Sequence, residues 1–108
     1  MKTQKILALL VLFLLVSCTK SAEELLELSE NNVQNNKIDL AIKDLQNLLK
    51  KYPADSLASR AQYKLASIYL NWKNDPEMGY DALQKTVNKY AESVHGEQAR
   101  NQIIEFPE

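Results

Sequence analysis

One cysteine, one histidine, two glycines and three prolines are all that the 108 residues contain of the types that build disulfides, metal sites and tight phosphate loops. With a single thiol, disulfides cannot stabilise the fold even in an oxidising compartment. One Cys and one His also fall short of a zinc site. Gly79 and Gly96 are isolated, so no glycine-rich loop exists to cradle phosphate. The one histidine, His95, lies two residues after Ser93, a candidate helix cap. It is expected to be a solvated first-turn residue with no second histidine or free thiol to work with. Glu23, Glu24 and Glu27 read as first-turn charges that favour a helix dipole rather than as general acids. No basic stripe is present either. The only adjacent cations are Lys50 and Lys51, at an expected helix end, and this sets nucleic-acid binding aside. The chain reads as non-catalytic, with no metal.

What is present begins at the N-terminus. Lys2 and Lys5 precede an unbroken apolar run from Ile6 to Val16, 11 residues long, followed by Ser17 and Cys18. A permanent membrane span needs about 20 apolar residues, so the run reads as the apolar region of an export signal. Leu15-Val16-Ser17-Cys18 resembles the bacterial lipobox. That resemblance implies cleavage between Ser17 and Cys18, a thioether-linked diacylglycerol on Cys18 and an N-acyl chain on its new amino group, with no other cofactor. Two or three such chains would anchor a protein almost irreversibly. With Thr19 rather than Asp after the cysteine, the resemblance implies sorting to the outer membrane, facing the periplasm. The alternative is a plain secreted protein with an incidental cysteine. The expected division is a signal peptide over 1–17, a lipidated N-terminus and short linker over 18–21, and one small domain over 22–106. Removing residues 1–17 leaves 91 residues of net charge −3, because Lys2 and Lys5 depart while all 14 acids stay.

The hydrophobic spacing after Ser21 is helical almost throughout, which predicts an all-α protein. Ser21 and Glu24 form a capping-box pattern, and Ala22, Leu25, Leu26, Ser29 and Val33 give a first stripe that Asn35-Asn36 should close. Ile38, Ala41, Ile42, Leu45, Leu48, Leu49 and Tyr52 form a strong second one, terminated by Pro53. Asp55 or Ser56 is the expected cap of a third helix carrying Leu57, Ala61, Leu65, Ala66, Ile68, Tyr69 and Trp72. Asp75, Pro76 and Glu77 open a fourth with Leu83, Val87 and Tyr90 on its buried side. Ser93 caps a fifth, carrying Ala99, Ile103, Ile104 and Phe106 before Pro107; the last three are expected to pack inward or, as the alternative, to leave an apolar end for another chain. The short connections make successive helices antiparallel.

An internal repeat organises these helices. An offset of 38 residues aligns Tyr52 with Tyr90, Lys51 with Lys89, Leu45 with Leu83, Leu49 with Val87, Ala61 with Ala99 and Leu65 with Ile103. A two-helix unit of that length belongs to helical solenoids. Ala41, Leu45, Leu48 and Pro53 resemble the second helix of a tetratricopeptide repeat, and Leu65, Ala66 and Tyr69 its first. Tyr52, Pro53, Ser56, Ala61 and Tyr63 are similar to the longer repeats of envelope lipoproteins of the outer-membrane assembly (BamD) type and of the Tol-Pal coordinator. Gly79 replaces Ala41 in the second unit, Ala91 replaces the proline, and the Asn71 to Asp75 turn is long. The resemblance implies a short α-solenoid of about five helices that binds a protein or peptide on the concave face of its first helices.

Carrying the ligand-facing positions over selects Leu26, Glu30, Val33 and Gln34 on the first helix. It selects Arg60, Tyr63, Ser67, Leu70 and Asn71 on the third, and Gln98, Asn101 and Glu105 on the fifth. Leu26, Val33, Tyr63 and Leu70 suit an apolar anchor, while Gln34, Asn71 and Asn101 could bond an extended backbone. Trp72, at a helix end, suits either packing or surface contact. The expected function is that of a lipid-anchored adaptor at the bacterial envelope. The alternatives are a subunit of an envelope assembly complex and a soluble secreted small-ligand binder or enzyme. A homodimer is a further expectation, because about three repeats are usually needed for independent stability.

Overall fold

The computed structural model describes residues 19–105. Ser17, Cys18 and Phe106, expected to serve cleavage, lipid attachment and an apolar contact, lie outside the described residues. Five helices run in order: α1 Ala22–Gln34, α2 Ile38–Lys51, α3 Ala58–Asn71, α4 Pro76–Lys89 and α5 Val94–Ile104. No strand occurs among the described residues. No described helix is long and apolar enough to cross a membrane.

Local chemistry sets most of the helix ends. Ser21 Oγ accepts the Glu24 N–H at 3.1 Å, satisfying one of the donors left free at the start of α1. At the other end Asn36 takes φ 59°, a left-handed value that asparagine tolerates. Lys37 N–H then reaches the Asn32 carbonyl at 2.7 Å and Asn36 N–H the Val33 carbonyl at 3.0 Å, the paired bonds of a Schellman stop. Asp75 caps α4 by accepting the Met78 N–H at 3.1 Å, with Pro76 following in the first turn. Ser93 caps α5 through the Gly96 N–H at 2.9 Å.

The start of α3 differs from expectation. Neither Asp55 nor Ser56 is its N-cap; Leu57 holds that position with no side-chain cap. Asp55 instead accepts the Leu57 N–H at 2.9 Å, while its carbonyl accepts the Ala58 N–H at 3.0 Å. The carboxylate closes a turn of its own just ahead of the helix, which delays the first helical residue to Ala58.

Neighbouring helices pack in sequence as α1·α2, α2·α3, α3·α4 and α4·α5, and α3 also meets α5. The middle helix α3 is shared by two apolar clusters. Ala58, Ala61, Leu65 and Ile68 turn toward Leu25 and Leu26 of α1 and Ala41, Ile42, Leu45 and Leu48 of α2. Ala66 turns the other way, toward Ala82 and Leu83 of α4 and Ala99 of α5. Alanines at the crossings allow close approach, while Leu45, Leu48 and Leu83 fill the space between. Each of those leucines contributes about 1.5–3 kcal/mol of burial.

Each hairpin also carries its own polar latch. Tyr52, ending α2, donates its hydroxyl to the Lys20 carbonyl at 2.6 Å, just before α1. Its repeat counterpart Tyr90, ending α4, donates to the Pro53 carbonyl at 2.9 Å, in the turn before α3. Close backbone approach explains both glycines. A Cβ at Gly79 would overlap the Leu70 side chain, and one at Gly96 would strike the Tyr90 carbonyl. The far ends of α3 and α5 leave two large apolar side chains exposed. Trp72 is 51% exposed, because it follows the last turn of α3 and leaves the core face. Ile103 packs on the second cluster, whereas Ile104, one residue and about 100° further round the helix, is 78% exposed.

Candidate functional site

The first helices of the repeat, α1, α3 and α5, line one side of the array. α3 and α5 meet directly, but α1 and α3 come less close, and a cleft of about 310 Å³ opens between them. Ser29, Glu30, Val33 and Gln34 form its α1 wall, and Lys64, Ser67, Ile68 and Trp72 its α3 wall. Leu45 of α2 forms the floor. Both serine hydroxyls are already bonded to carbonyls of their own helices, Ser29 to Leu26 at 2.6 Å and Ser67 to Tyr63 at 3.2 Å. The cleft therefore offers apolar contact chiefly from Val33 and Trp72, above the buried side chains of Leu45 and Ile68, with polar side chains at its edges.

One edge is ionic. Glu30 Oε1 lies 2.7 Å from Lys64 Nζ and 3.2 Å from Arg60 Nη2, so one carboxylate bridges to two cations on the facing helix. The hydrogen bond from Lys64 is the main cause holding the Glu30 carboxyl below its ordinary range, and burial opposes it. Glu23 and Glu27 stand beside Glu30 and Arg60, so this edge carries both signs of charge and no surplus of positive charge.

The expected contact residues separate on this geometry. Glu30, Val33, Gln34 and Ser67 meet in the cleft, and Arg60 joins them through Glu30. Asn71, Gln98, Asn101 and Glu105 are exposed but outside it. Leu26 is 6% exposed and belongs to the core, so it is not a free anchor. Glu27, one residue on, is the exposed neighbour lining a shallow depression with Glu23, Glu30 and Arg60. Leu70 packs against Gly79 and the second cluster, because the missing Cβ of Gly79 leaves room for its side chain. Tyr63 is half-buried, with its ring against that cluster and its hydroxyl donating to Gln102 Oε1 at 2.9 Å.

His95 departs from the solvated position expected of it. It is half-buried beside Tyr63, ring centroids 6.0 Å apart, with Nδ1 3.5 Å from Ser59 Oγ. Burial, and then Arg60 and Lys64, push its pKa below the ordinary 6.5. The 38-residue offset places His95 opposite Leu57, a partly buried position that packs on the core, and that alignment was the available signal for its burial. Lys64 and Trp72 complete the cleft without being among the expected contact residues. For Lys64 the signal was the i,i+4 spacing from Arg60, which puts both cations on one face.

A family model described as the tetratricopeptide repeat matches residues 25–55 and 60–93, together more than half of the chain. No curated protein and no solved structure matches the sequence. The first matched stretch covers most of α1, all of α2 and the start of the following turn, and the second runs from Arg60 of α3 to the cap of α5. Such repeats are in general protein-interaction scaffolds.

Proposed function

The chain belongs to the tetratricopeptide repeat family, and from that premise we propose that it is a non-catalytic adaptor that captures an extended segment of a partner protein in the α1/α3 cleft. The observation that carries this reading is the cleft itself. It has an apolar floor at Leu45, a half-exposed indole at Trp72 and an ionic rim at Glu30, Arg60 and Lys64. A segment with one apolar side chain for the cleft and polar or charged residues beside it matches that pattern.

The lipobox resemblance supplies the other half of the proposal. Cys18 carries the diacylglycerol and N-acyl chains, and the helices work at the periplasmic face of the bacterial envelope, on the outer membrane. Confinement to a surface raises the local concentration of a captured partner, so modest affinity is enough.

Two measurements separate these halves. Radiolabelled palmitate should enter the wild-type chain and not Cys18→Ser; equal labelling overturns the anchor. Peptides selected from a displayed library on the processed chain should lose binding with Trp72→Ala and with Lys64→Ala while the helical circular dichroism is retained. Binding that survives both substitutions overturns the cleft. Tyr63→Ala and Leu70→Ala are unsuitable for this purpose, since both residues carry packing.

A further inference from the structure

The outer face of α5 has a spacing that the inner packing does not use. Val94, Glu97, Asn101 and Ile104 are all exposed and recur at three, four and three residues, the interval of a two-helix seam. Val94 is 67% exposed and Ile104 78%. They lie ten residues apart, about 15 Å along the helix. The repeat offset sharpens the anomaly. Ile104 aligns with Ala66, which is fully buried beneath α4, yet no described helix covers Ile104.

We propose that this seam is a docking surface for the α5 helix of a second copy of the chain, laid antiparallel about a two-fold axis. The seam is complementary to itself in that arrangement and in no parallel one. Val94 of one copy meets Ile104 of the other at both ends, and Glu97 meets Asn101 twice in the middle. Arg100, exposed and donating one guanidinium N–H to the Ala91 carbonyl of its own chain at 3.2 Å, flanks each Glu97 of the facing helix with opposite charge. A parallel pairing would stack Glu97 on Glu97, two like charges at the centre of the contact. The isologous arrangement closes at two copies and does not propagate into fibres.

The contact is small. Two faces about 16 Å long and about 10 Å wide bury roughly 300–400 Å² in total, well below the ~1,200 Å² at which stable interfaces begin. The dimer is therefore weak in free solution and is favoured where copies are concentrated on a shared surface. It leaves the α1/α3 cleft open, so two copies present two clefts.

The processed chain, residues 18–108 with Cys18→Ser, tests this by sedimentation equilibrium. Its mass should rise from monomer toward dimer only at high protein concentration, since the contact lies far below the size of stable interfaces. Ile104→Glu should abolish that rise without changing the helical circular dichroism. In the same background, a mixture of Val94→Cys and Ile104→Cys chains should form disulfide-linked dimers several-fold faster than either variant alone. A monomer at every concentration, or same-residue cross-linking as fast as the mixed pair, overturns the proposal. Loss of peptide capture by the cleft with dimerisation intact would count against the adaptor reading and leave this one standing.

Discussion

Replacing Gly96 with alanine tests how tightly the fifth helix is held. The added Cβ would meet the Tyr90 carbonyl, a backbone atom with little freedom to yield. That carbonyl accepts the Ser93 N–H at 3.0 Å and the Ser93 hydroxyl at 2.7 Å, and Ser93 in turn caps α5 through the Gly96 N–H. Relief requires α5 to move outward, which loosens the cap and withdraws Ala99 from the second cluster. Overpacking of this kind costs about 1–3 kcal/mol, while alanine returns about 0.5–1 kcal/mol over glycine in a helix. The difference spans about 0–2.5 kcal/mol and centres on about 1.2 kcal/mol, which lowers Tm by roughly 5–10 °C in a domain of this size. Gly79→Ala is the comparison, because its Cβ meets a side chain rather than backbone, overlapping Cγ and Cδ2 of Leu70, which can repack where the Tyr90 carbonyl cannot. Thermal melts followed at 222 nm should rank the two, with Gly96→Ala clearly the less stable. An unchanged or raised Tm for Gly96→Ala, or equal shifts for both, would refute the close-approach argument.

Other outcomes follow from the same packing. Leu45→Ala should cost about 2–5 kcal/mol in urea unfolding, since the leucine is fully buried; it should also deepen the cleft whose floor it forms. Tyr63→Phe removes the bond to Gln102 and should cost about 0.5–1.5 kcal/mol by the same assay. Acid should weaken the fold through His95. Its folded pKa is depressed, so its contribution is fully present above the unfolded value of 6.5 and is lost as pH falls from there through the folded value. Urea titrations between neutral pH and pH 5 should show that decline, and His95→Gln should flatten it. Glu30, held below 4.5, adds its own loss only at lower pH.

Most of the fold was legible because its determinants are local. The caps at Ser21, Asp75 and Ser93 require only a side-chain oxygen near the first turn, and the buried faces of α2 and α4 follow from apolar spacing. The cap of α3 was less accessible, since Asp55 can serve either a helix or the turn ahead of it, and only the tertiary path decides. The candidate site was legible on α1, where Glu30, Val33 and Gln34 all line the cleft, and less so on α3, where Ser67 does but Tyr63 and Leu70 pack on the second cluster. Even on α1, a shift of one residue turns a helix by about 100°, enough to exchange exposed Glu27 for buried Leu26. The separation of α1 from α3, which creates the cleft, depends on packing between hairpins and leaves no mark in the periodicity of either helix.

The tyrosine latches bear on how the chain can grow. Tyr52 and Tyr90 each reach back to the start of their own hairpin rather than into a neighbour's. Each bond spans 32 or 37 residues, so it closes a whole hairpin rather than a single turn, yet it needs no group from beyond the unit and its leading turn. The same locality makes the 38-residue unit portable: an extra copy inserted between existing hairpins would bring its own fastening and leave the older ones undisturbed.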